Sequence, residues 1–315
     1  MGNMTLIIDR RGACLDLAGS GVVRVRYDGG ETHRLGLNGL QRIVLQGDVQ
    51  LSASLLRACS EAGVGLVLAP GRGRGETIHV FPAFRGPVNL RLAQHQGYAD
   101  SLHRFRLAQK LVATKIGHQA LWLEAHGVHH TLQRFMDEAH QVQDLAVLIG
   151  VEGAAAARYF AQWSTLWKAP WTFTGRNRRP PRDPVNALLS LGYALALNYG
   201  GRMAALRGFD MEIGFLHAPQ SGRPALALDL LEPVRPWVDQ WVWQLLNSGK
   251  LTPDNFTSSP GEGCRLDKEG RAVFFSEWYG SEDGWLRKPA RNALALVLKS
   301  LRRVVNFTPA SDTTD

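Results

Sequence analysis

The chain has 315 residues, 45% of them hydrophobic, which is enough to bury a core in one or two domains. No run of about 20 apolar residues could span a membrane, and the charged first segment carries no secretory signal, so we expect no membrane attachment. The net charge of +8 comes mostly from arginine and favours a polyanionic partner, most often nucleic acid. Cys14, Cys59 and Cys264 are too far apart for a zinc motif or a disulfide framework, a pattern typical of the reducing cytoplasm.

The first 80 or so residues predict short strands separated by glycine-marked turns. The predicted strands are residues 6–8, 22–27, 43–45, 65–68 and 77–81. One helix interrupts them, with Ser52 as its N-cap and Gly63 at its end.

Helical periodicity dominates from about residue 90. The helical segments are residues 102–123, 132–163, 185–197, 238–246 and 290–305, and a loop-rich stretch at 252–284 includes a predicted hairpin at 268–275. The sequence therefore predicts an α+β fold with a small β-rich N-terminal domain at residues 1–85. A larger all-α domain follows at residues 86–308, and residues 309–315 are predicted to be a disordered tail.

Glu152 is the first candidate for chemistry because it lies in an amphipathic segment. The apolar positions of that segment are Leu145, Ile149, Ala156, Tyr159 and Trp163, spaced as on one face of a helix. Glu152 follows Ile149 by three residues, so we expect its carboxylate to point the same way as this apolar face. A buried carboxylate is costly unless a side chain neutralises it or it binds a cation, and the segment alone leaves both open.

A second candidate is the arginine-rich loop in the stretch F-T-G-R-N-R-R-P-P-R-D-P-V-N at residues 173–186. Its four arginines are Arg176, Arg178, Arg179 and Arg182. Four guanidinium groups in one exposed loop repel each other unless an anion joins them, and nucleic-acid phosphates suit that geometry. The alternative is a solvated basic loop paired with acids such as Asp183. Asp183 and Pro184 predict a helix start, with Asn186 in the first turn facing the same region.

A third candidate begins at His217, where Pro219 and Gly222 turn the chain. Asp229 and Glu232 follow within an apolar run, three residues apart, so on a helix they would share one face. Arg235 comes three residues later and could neutralise one of them. Carboxylates with one imidazole suit Mg²⁺ or Mn²⁺ better than zinc, and such an ion supports phosphodiester chemistry.

Four stretches, in this order, resemble the large subunit of the CRISPR spacer-acquisition integrase. They are L-I-G-V-E-G-A-A-A-A-R-Y-F at 148–160, R-R-P-P-R-D-P-V-N-A-L-L-S-L-G-Y at 178–193, G-F-L-H at 214–217 and L-D-L-L-E-P-V-R-P at 228–236. The stretch S-A-S-L-L-R-A-C-S-E-A-G-V-G-L-V-L at 52–68 resembles the family's first domain, so the resemblance covers nearly the whole chain. It implies a small β-rich domain used for dimerisation and a large helical catalytic domain.

The resemblance also implies which residues carry the chemistry. Glu152, His217 and Glu232 would be catalytic and would bind Mg²⁺ or Mn²⁺. In many relatives the third position is aspartate, and Asp229 is either the alternative ligand or a residue behind the ligands. The residues expected to contact or orient DNA are Arg158, Arg176, Arg178, Arg179, Arg182 and Asn186.

The implied reaction joins two DNA strands without a covalent enzyme intermediate. The 3′-hydroxyl of a short duplex, the spacer precursor, would attack a phosphodiester at the edge of a CRISPR repeat. The family works as homodimers that bind a small partner subunit of the adaptation complex. Two alternatives remain: a stand-alone structure-selective DNA endonuclease with the same metal site, and a non-catalytic DNA-binding scaffold in which the buried acids form salt bridges.

Overall fold

The computed structural model describes residues 4–19, 21–46, 48–68, 78–80, 87–177, 180–259, 261, 263–302 and 304. The chain forms two compact units, one of residues 1–86 with 205–208 and one of residues 87–204 with 209–315. That the domain ending at residue 85 serves dimerisation and the following domain catalysis stays a prediction. The predicted tail at 309–315 and the strand ends at 77 and 81 lie outside the described residues.

The first unit contains eight strands and one helix among the described residues. In chain order they are β1 (Met4–Ile8), β2 (Cys14–Leu17), β3 (Val22–Arg26), β4 (Thr32–Gly36), β5 (Leu40–Leu45), β6 (Gln50–Leu51), α1 (Ala53–Ala62), β7 (Gly65–Leu68) and β8 (Ile78–Val80). One sheet has the order β1-β5-β7-β8 and the other β4-β3-β2-β6. β5 pairs in parallel with β1 and β7, and β3 pairs antiparallel with β2 and β4.

Helix α1 forms where the sequence predicted it. The Ser52 hydroxyl accepts a hydrogen bond from the Leu55 N–H at 3.2 Å, and Gly63 ends the helix with a φ of 69° that favours glycine. Leu55 and Cys59 are one turn apart and fully buried against the strands. Burial raises the pKa of the Cys59 thiol to about 11, so this cysteine is a packing residue rather than a nucleophile.

The second unit is mainly helical. Its elements are α2 (Val88–Ala99), α3 (Ser101–Ala125), α4 (Leu132–Gln141), α5 (Leu145–Trp163), α6 (Pro184–Leu206), α7 (Ala225–Leu231), α8 (Arg235–Asn247), β9 (Phe256–Ser259), β10 (Gly263–Leu266), α9 (Lys268–Trp285) and α10 (Arg287–Leu301). A 3₁₀ turn, Glu232–Val234, joins α7 to α8. The core of the second unit combines aliphatic and aromatic side chains, and its largest fully buried side chains are Tyr159, Trp163, Phe209, Phe215, Phe274 and Trp278. No helix among the described residues is both long and apolar enough to cross a membrane.

These elements confirm the α+β class, a strand-rich N-terminal region followed by a mostly helical one. Two predictions within the second unit were wrong. The single helical segment at 132–163 is two helices, because Asp144 accepts hydrogen bonds from the N–H groups of Ala146 and Val147 and so begins α5 anew. Residues 268–275 open helix α9, and the hairpin is β9–β10 just before it, so the unit is not entirely helical.

Candidate active site

Helix α5 presents Glu152 at the edge of its buried face rather than at its centre. The fully or nearly buried positions of α5 are Leu148, Val151, Ala155, Tyr159 and Trp163. Ile149 is 46% exposed and Ala156 is only partly buried, so the predicted apolar face was wrong by one position at both places. Leu148 and Ile149 are equally apolar, and periodicity could not say which of them faces the core. The Glu152 side chain is accordingly partly buried, with 23% of it exposed.

Lys115 joins Glu152 to Glu232. This lysine lies on the buried face of α3 together with Leu107 and Leu111, at successive steps of four residues. Its ammonium donates hydrogen bonds to Oε1 of Glu152 and, at 2.6 Å, to Oε2 of Glu232. The side chains of Lys115 and Glu232 are each only 6% exposed. Three elements therefore meet around one buried positive charge.

Glu232 has a second cationic partner. The Nε of Arg235 donates to Oε1 of Glu232 at 2.9 Å, so of the two acids that Arg235 could neutralise, Glu232 is the one it pairs with. Burial raises the pKa of Glu232, but the charges of Arg235 and Lys115 outweigh burial and hold that pKa well below its usual range. Both oxygens of this carboxylate thus accept hydrogen bonds from positively charged side chains.

Asp229 and His217 form a separate arrangement. Oδ2 of Asp229 accepts from the N–H groups of Phe215 and Leu216, the latter at 3.0 Å. Oδ1 accepts from the His217 N–H at 2.9 Å and pairs with Nδ1 of its imidazole at 2.8 Å. Asp229 is fully buried, and these four groups satisfy it without a cation. Because Nδ1 is used in this way, Nε2 is the nitrogen through which His217 would bind a ligand.

Side chains of α2 and α3 donate hydrogen bonds to backbone carbonyls of the turn that carries His217. The amide of Gln94 in α2 donates to the carbonyls of Asp210 and Ile213, both at 2.8 Å. Arg104 in α3 donates from Nε to the Phe215 carbonyl at 3.0 Å. A Cβ at Gly214 would lie 2.9 Å from the carbonyl oxygen of Ala225, so only glycine lets the turn pack this closely.

The structure therefore brings together some predicted metal ligands and not others. Glu152 and Glu232 converge on one cationic centre, and His217 is paired with Asp229. Within the described ranges, no group of three or more histidine, cysteine, aspartate or glutamate side chains is assembled to hold a metal ion. Two carboxylates around a positive charge fit the oxygen ligands that Mg²⁺ and Mn²⁺ prefer, whereas the ligand role of His217 stays a prediction.

The arginine loop is built around Asn186. This residue is fully buried, and its amide donates to the Gly175 carbonyl at 2.9 Å and to Oδ2 of Asp183 at 2.7 Å. Its Oδ1 accepts from the Asn177 N–H at 2.9 Å and from Arg176 at 2.8 Å. Asp183 Oδ1 also accepts from the Asn186 N–H at 2.8 Å, which confirms the predicted start of α6.

The predicted DNA-contacting arginines differ in their surroundings. Arg176 is partly buried and also donates to the Ser190 hydroxyl at 3.0 Å. Arg182 is exposed. Arg158 is exposed on α5, with its Nε donating to the Thr131 hydroxyl at 3.2 Å. Arg178 and Arg179 lie outside the described residues.

A buried network connects the arginine loop to Glu232. The guanidinium groups of Arg235 and Arg176 lie 4.6 and 5.4 Å from the centre of the Tyr193 ring. The Tyr193 hydroxyl donates to Asp239, a fully buried carboxylate. Burial raises the pKa of Asp239 to about 6, although hydrogen bonding to Tyr193 and nearby positive charges lower it.

The sequence interpretation missed Lys115, Tyr193 and Asp239. Lys115 left a detectable signal, because it continues the Leu107–Leu111 spacing and so lies where a buried residue is expected. Asp239 left a similar one, because it follows Arg235 by four residues and sits beside the buried Val238 of α8. Tyr193 gave no such signal, since an aromatic residue within an apolar helix is ordinary core packing.

Known proteins are similar to this chain in both sequence and fold. The family model described as CRISPR associated protein Cas1 matches residues 6–280. A CRISPR-associated endonuclease Cas1 of Thermus thermophilus is 34% identical over 254 residues, which cover 79% of this chain and 76% of the relative.

Solved structures extend the likeness to three dimensions. A Cas1 protein from Thermotoga maritima has a TM-score of 0.85 at 20% identity, with 100% of both chains covered. A casposase bound to integration product has a TM-score of 0.82 at 19% identity, covering 95% of this chain and 91% of the casposase. A chain of a Cas6-RT-Cas1–Cas2 complex has a TM-score of 0.75 at 22% identity, covering 99% of this chain and 36% of that one. At such identities these likenesses establish the fold.

Proposed function

The chain belongs to the CRISPR associated protein Cas1 family, and from this we propose that it is a metal-dependent DNA integrase of CRISPR adaptation. It would join the 3′-hydroxyl ends of short double-stranded DNA, the spacer precursor, to phosphodiesters at CRISPR repeats by transesterification. The observation that carries this proposal is the convergence of Glu152 and Glu232, from distant parts of the chain, on one buried positive charge. A pair of acids held at one point is what a divalent ion requires.

Glu152, Glu232 and the Nε2 of His217 would hold Mg²⁺ or Mn²⁺. When bound, such an ion polarises the phosphodiester and stabilises charge on the attacking and leaving oxygens. Arg235 keeps Glu232 ionised and oriented. Asp229 acts as a positioning residue rather than a ligand, because its two oxygens are already used by three N–H groups and the His217 imidazole.

The basic residues would bind the DNA backbone. Arg182 and Arg158 are exposed and available to phosphates, and Arg178 and Arg179 are assigned the same role from the sequence. Asn186 and Arg176 are used within the loop, so their part is to fix its shape. This arrangement neutralises phosphates without reading bases.

The working assembly would be a homodimer with a small partner subunit of the adaptation complex, acting in the cytoplasm. The fold shared with a chain of a Cas6-RT-Cas1–Cas2 complex supports the partner subunit, and the casposase bound to integration product supports DNA joining. The spaced cysteines support the cytoplasmic location.

A plasmid-integration assay tests the proposal. The protein, with and without the small partner subunit, is mixed with Mn²⁺, a labelled short duplex and a supercoiled plasmid. We expect label covalently joined to the plasmid, and about 10²-fold less joining or worse with Glu152→Gln, because a carbonyl oxygen replaces an anionic ligand. Glu138→Gln, an exposed glutamate on α4, is the matched control. Full activity of Glu152→Gln, or joining of a duplex with blocked 3′ ends, would contradict it.

Two rival functions have some support. The relative from Thermus thermophilus is named an endonuclease, so a structure-selective nuclease that uses the same site is the second candidate; it would shorten strands without joining them. The ion pairs of Lys115 and Arg235 are also what a non-catalytic DNA-binding scaffold would need. A scaffold would gain no thermal stability from Mn²⁺, whereas a folded metal site must gain it.

A further inference from the structure

Lys115 occupies an unusual position for a lysine. Its ammonium is buried between Glu152 and Glu232, and within the described residues its hydrogen bonds go to these two carboxylates alone. Burying an ammonium is unfavourable unless it is fully paired, so the two acids and the lysine depend on one another. The same two acids are the ones that would hold a divalent ion.

A lysine and a divalent ion cannot both be held tightly by these carboxylates. With Lys115 and Arg235 in place, the charges of Glu152 and Glu232 are already balanced. An added divalent ion would lie a few ångströms from the ammonium, where like charges repel strongly in a poorly solvated site. The lysine and the ion are therefore alternative partners of the same oxygens.

Of the two cations that contact Glu232, Lys115 is the one free to leave. Arg235 is fixed by its guanidinium, which lies over the Tyr193 ring as well as on the carboxylate. Lys115 has a flexible stem and a point charge, and it bridges towards Glu152, whose side chain is 23% exposed, against 6% for Glu232. Of the two carboxylates that Lys115 contacts, Glu152 is the more exposed to solvent.

We propose that Lys115 is an exchangeable counter-ion that holds Glu152 and Glu232 together before a divalent ion binds and withdraws when it does. This inference rests on the proposed metal site. It makes Lys115 a positioning residue that keeps the site assembled without metal and sets the affinity for the ion.

Calorimetric titration with Mn²⁺ alone tests the exchange. Lys115→Met keeps the length of the side chain and removes its charge, and Lys110→Met, an exposed lysine on the same helix, is the matched control. We expect Lys115→Met to bind Mn²⁺ about tenfold more tightly or better, a gain of about 1.4 kcal/mol, because the competing charge is gone. Without metal it should melt several degrees lower, since two buried acids lose their partner. Lys110→Met should match the natural protein in both measurements.

The outcomes separate this inference from the proposed function. Equal or weaker Mn²⁺ binding by Lys115→Met, when the natural protein binds, overturns the exchange and leaves the metal site standing. Binding by Lys115→Met alone overturns the exchange, since the lysine then excludes the ion instead of withdrawing. Absence of binding in every protein, including Lys115→Met, overturns both.

A second measurement uses the natural protein and needs no variant to fold. Lysines are acylated with acetic anhydride with and without saturating Mg²⁺, and peptide mass spectrometry reports the modification of each. Lys115 should be protected without Mg²⁺ and modified at least about fivefold faster with it, while exposed Lys110 stays unchanged. Equal protection of Lys115 in both states, where calorimetry shows Mg²⁺ bound, would contradict the withdrawal.

Discussion

Asp229 and Glu232 lie three residues apart and are both buried, yet the protein neutralises them in different ways. Asp229 is satisfied by N–H groups of the turn before α7 and by the His217 imidazole. Glu232 is satisfied by two side-chain cations, Lys115 and Arg235, that come from α3 and α8. Three of the four groups that satisfy Asp229 are backbone N–H groups, whereas both groups that satisfy Glu232 are side-chain cations.

The two kinds of partner suit the two carboxylates to different roles. A carboxylate held by backbone donors is fixed in place and can orient a neighbour, as Asp229 orients His217. A carboxylate paired with a cation that withdraws would keep its negative charge available for a metal ion. Under the proposed metal site, the two acids of one D-x-x-E sequence would divide the work, Asp229 positioning His217 and Glu232 binding the ion.

The sharpest test of this comparison is Asp229→Ala. We expect the free energy of unfolding to fall by about 3–5 kcal/mol, because three buried N–H groups and one imidazole lose their acceptor. Urea denaturation measures this, with the exposed Asp254→Ala as control. If Asp229 is not a ligand, added Mn²⁺ should stabilise Asp229→Ala about as much as the natural protein and leave the gap between them unchanged, whereas it should narrow the gap for Lys115→Met. A gap that widens with Mn²⁺ would place Asp229 among the ligands.

A third buried carboxylate, Asp239, differs from both because, among the described residues, neither an N–H group nor a cation bonds to it directly. Burial raises its pKa to about 6 from an ordinary value of 3.8, despite the hydroxyls of Tyr193 and Tyr159 and the charges of Arg235 and Lys115. At a pH between these two pKa values, the folded protein therefore binds more protons than the unfolded chain. Its contribution makes the free energy of unfolding fall as the pH rises from about 4 to about 6.

Asp239→Asn should remove this pH dependence. Relative to the natural protein, its stability should rise by about 3 kcal/mol between pH 4 and pH 7, the free energy of a pKa difference of about two units. Denaturation at several pH values measures the difference in free energy of unfolding between Asp239→Asn and the natural protein. The control is the exposed Asp254→Asn, whose difference from the natural protein should stay constant with pH. A constant gap between Asp239→Asn and the natural protein would mean that Asp239 is ionised throughout.

Asn186 is held by two backbone groups and two side chains, and its removal should loosen the arginine loop. Asn186→Ala loses bonds to the Gly175 carbonyl, the Asn177 N–H, Asp183 and Arg176. We expect a loss of about 2 kcal/mol in unfolding free energy and faster trypsin cleavage within residues 176–182. The exposed Asn247→Ala is the control, and unchanged cleavage of Asn186→Ala would show that the loop keeps its shape without this amide.

The sequence predicts the local parts of this site well. The sequence indicated that Arg235 could neutralise one of the two acids before it, and Asp183 with Pro184 predicted where α6 begins, because these contacts join residues close in the chain. Ser52 and Gly63 likewise marked the ends of α1. Capping and turn chemistry depend on a few neighbouring residues and are readable from one sequence.

The remaining contacts could not be read in this way. Lys115 reaches Glu232 across 117 residues, and no local pattern states which distant lysine a buried acid will meet. The role of Asp229 depends on three N–H groups that point inwards only because Gly214 lets the turn pack against Ala225. The sequence therefore found both acids but not the groups that hold each of them.

The smallest effect is expected at the exposed arginines, whose charges face solvent rather than a buried acid. Arg182→Ala should weaken binding of duplex DNA about fivefold and lower the slope of affinity against salt by about one, since one phosphate contact is lost. Arg158→Ala should behave similarly, while Arg106→Ala, an exposed arginine on α3, serves as control. Fluorescence anisotropy at several salt concentrations measures both quantities. If Arg182→Ala instead lowers the free energy of unfolding without changing the salt slope, the charge of Arg182 stabilises the arginine loop and does not contact a DNA phosphate.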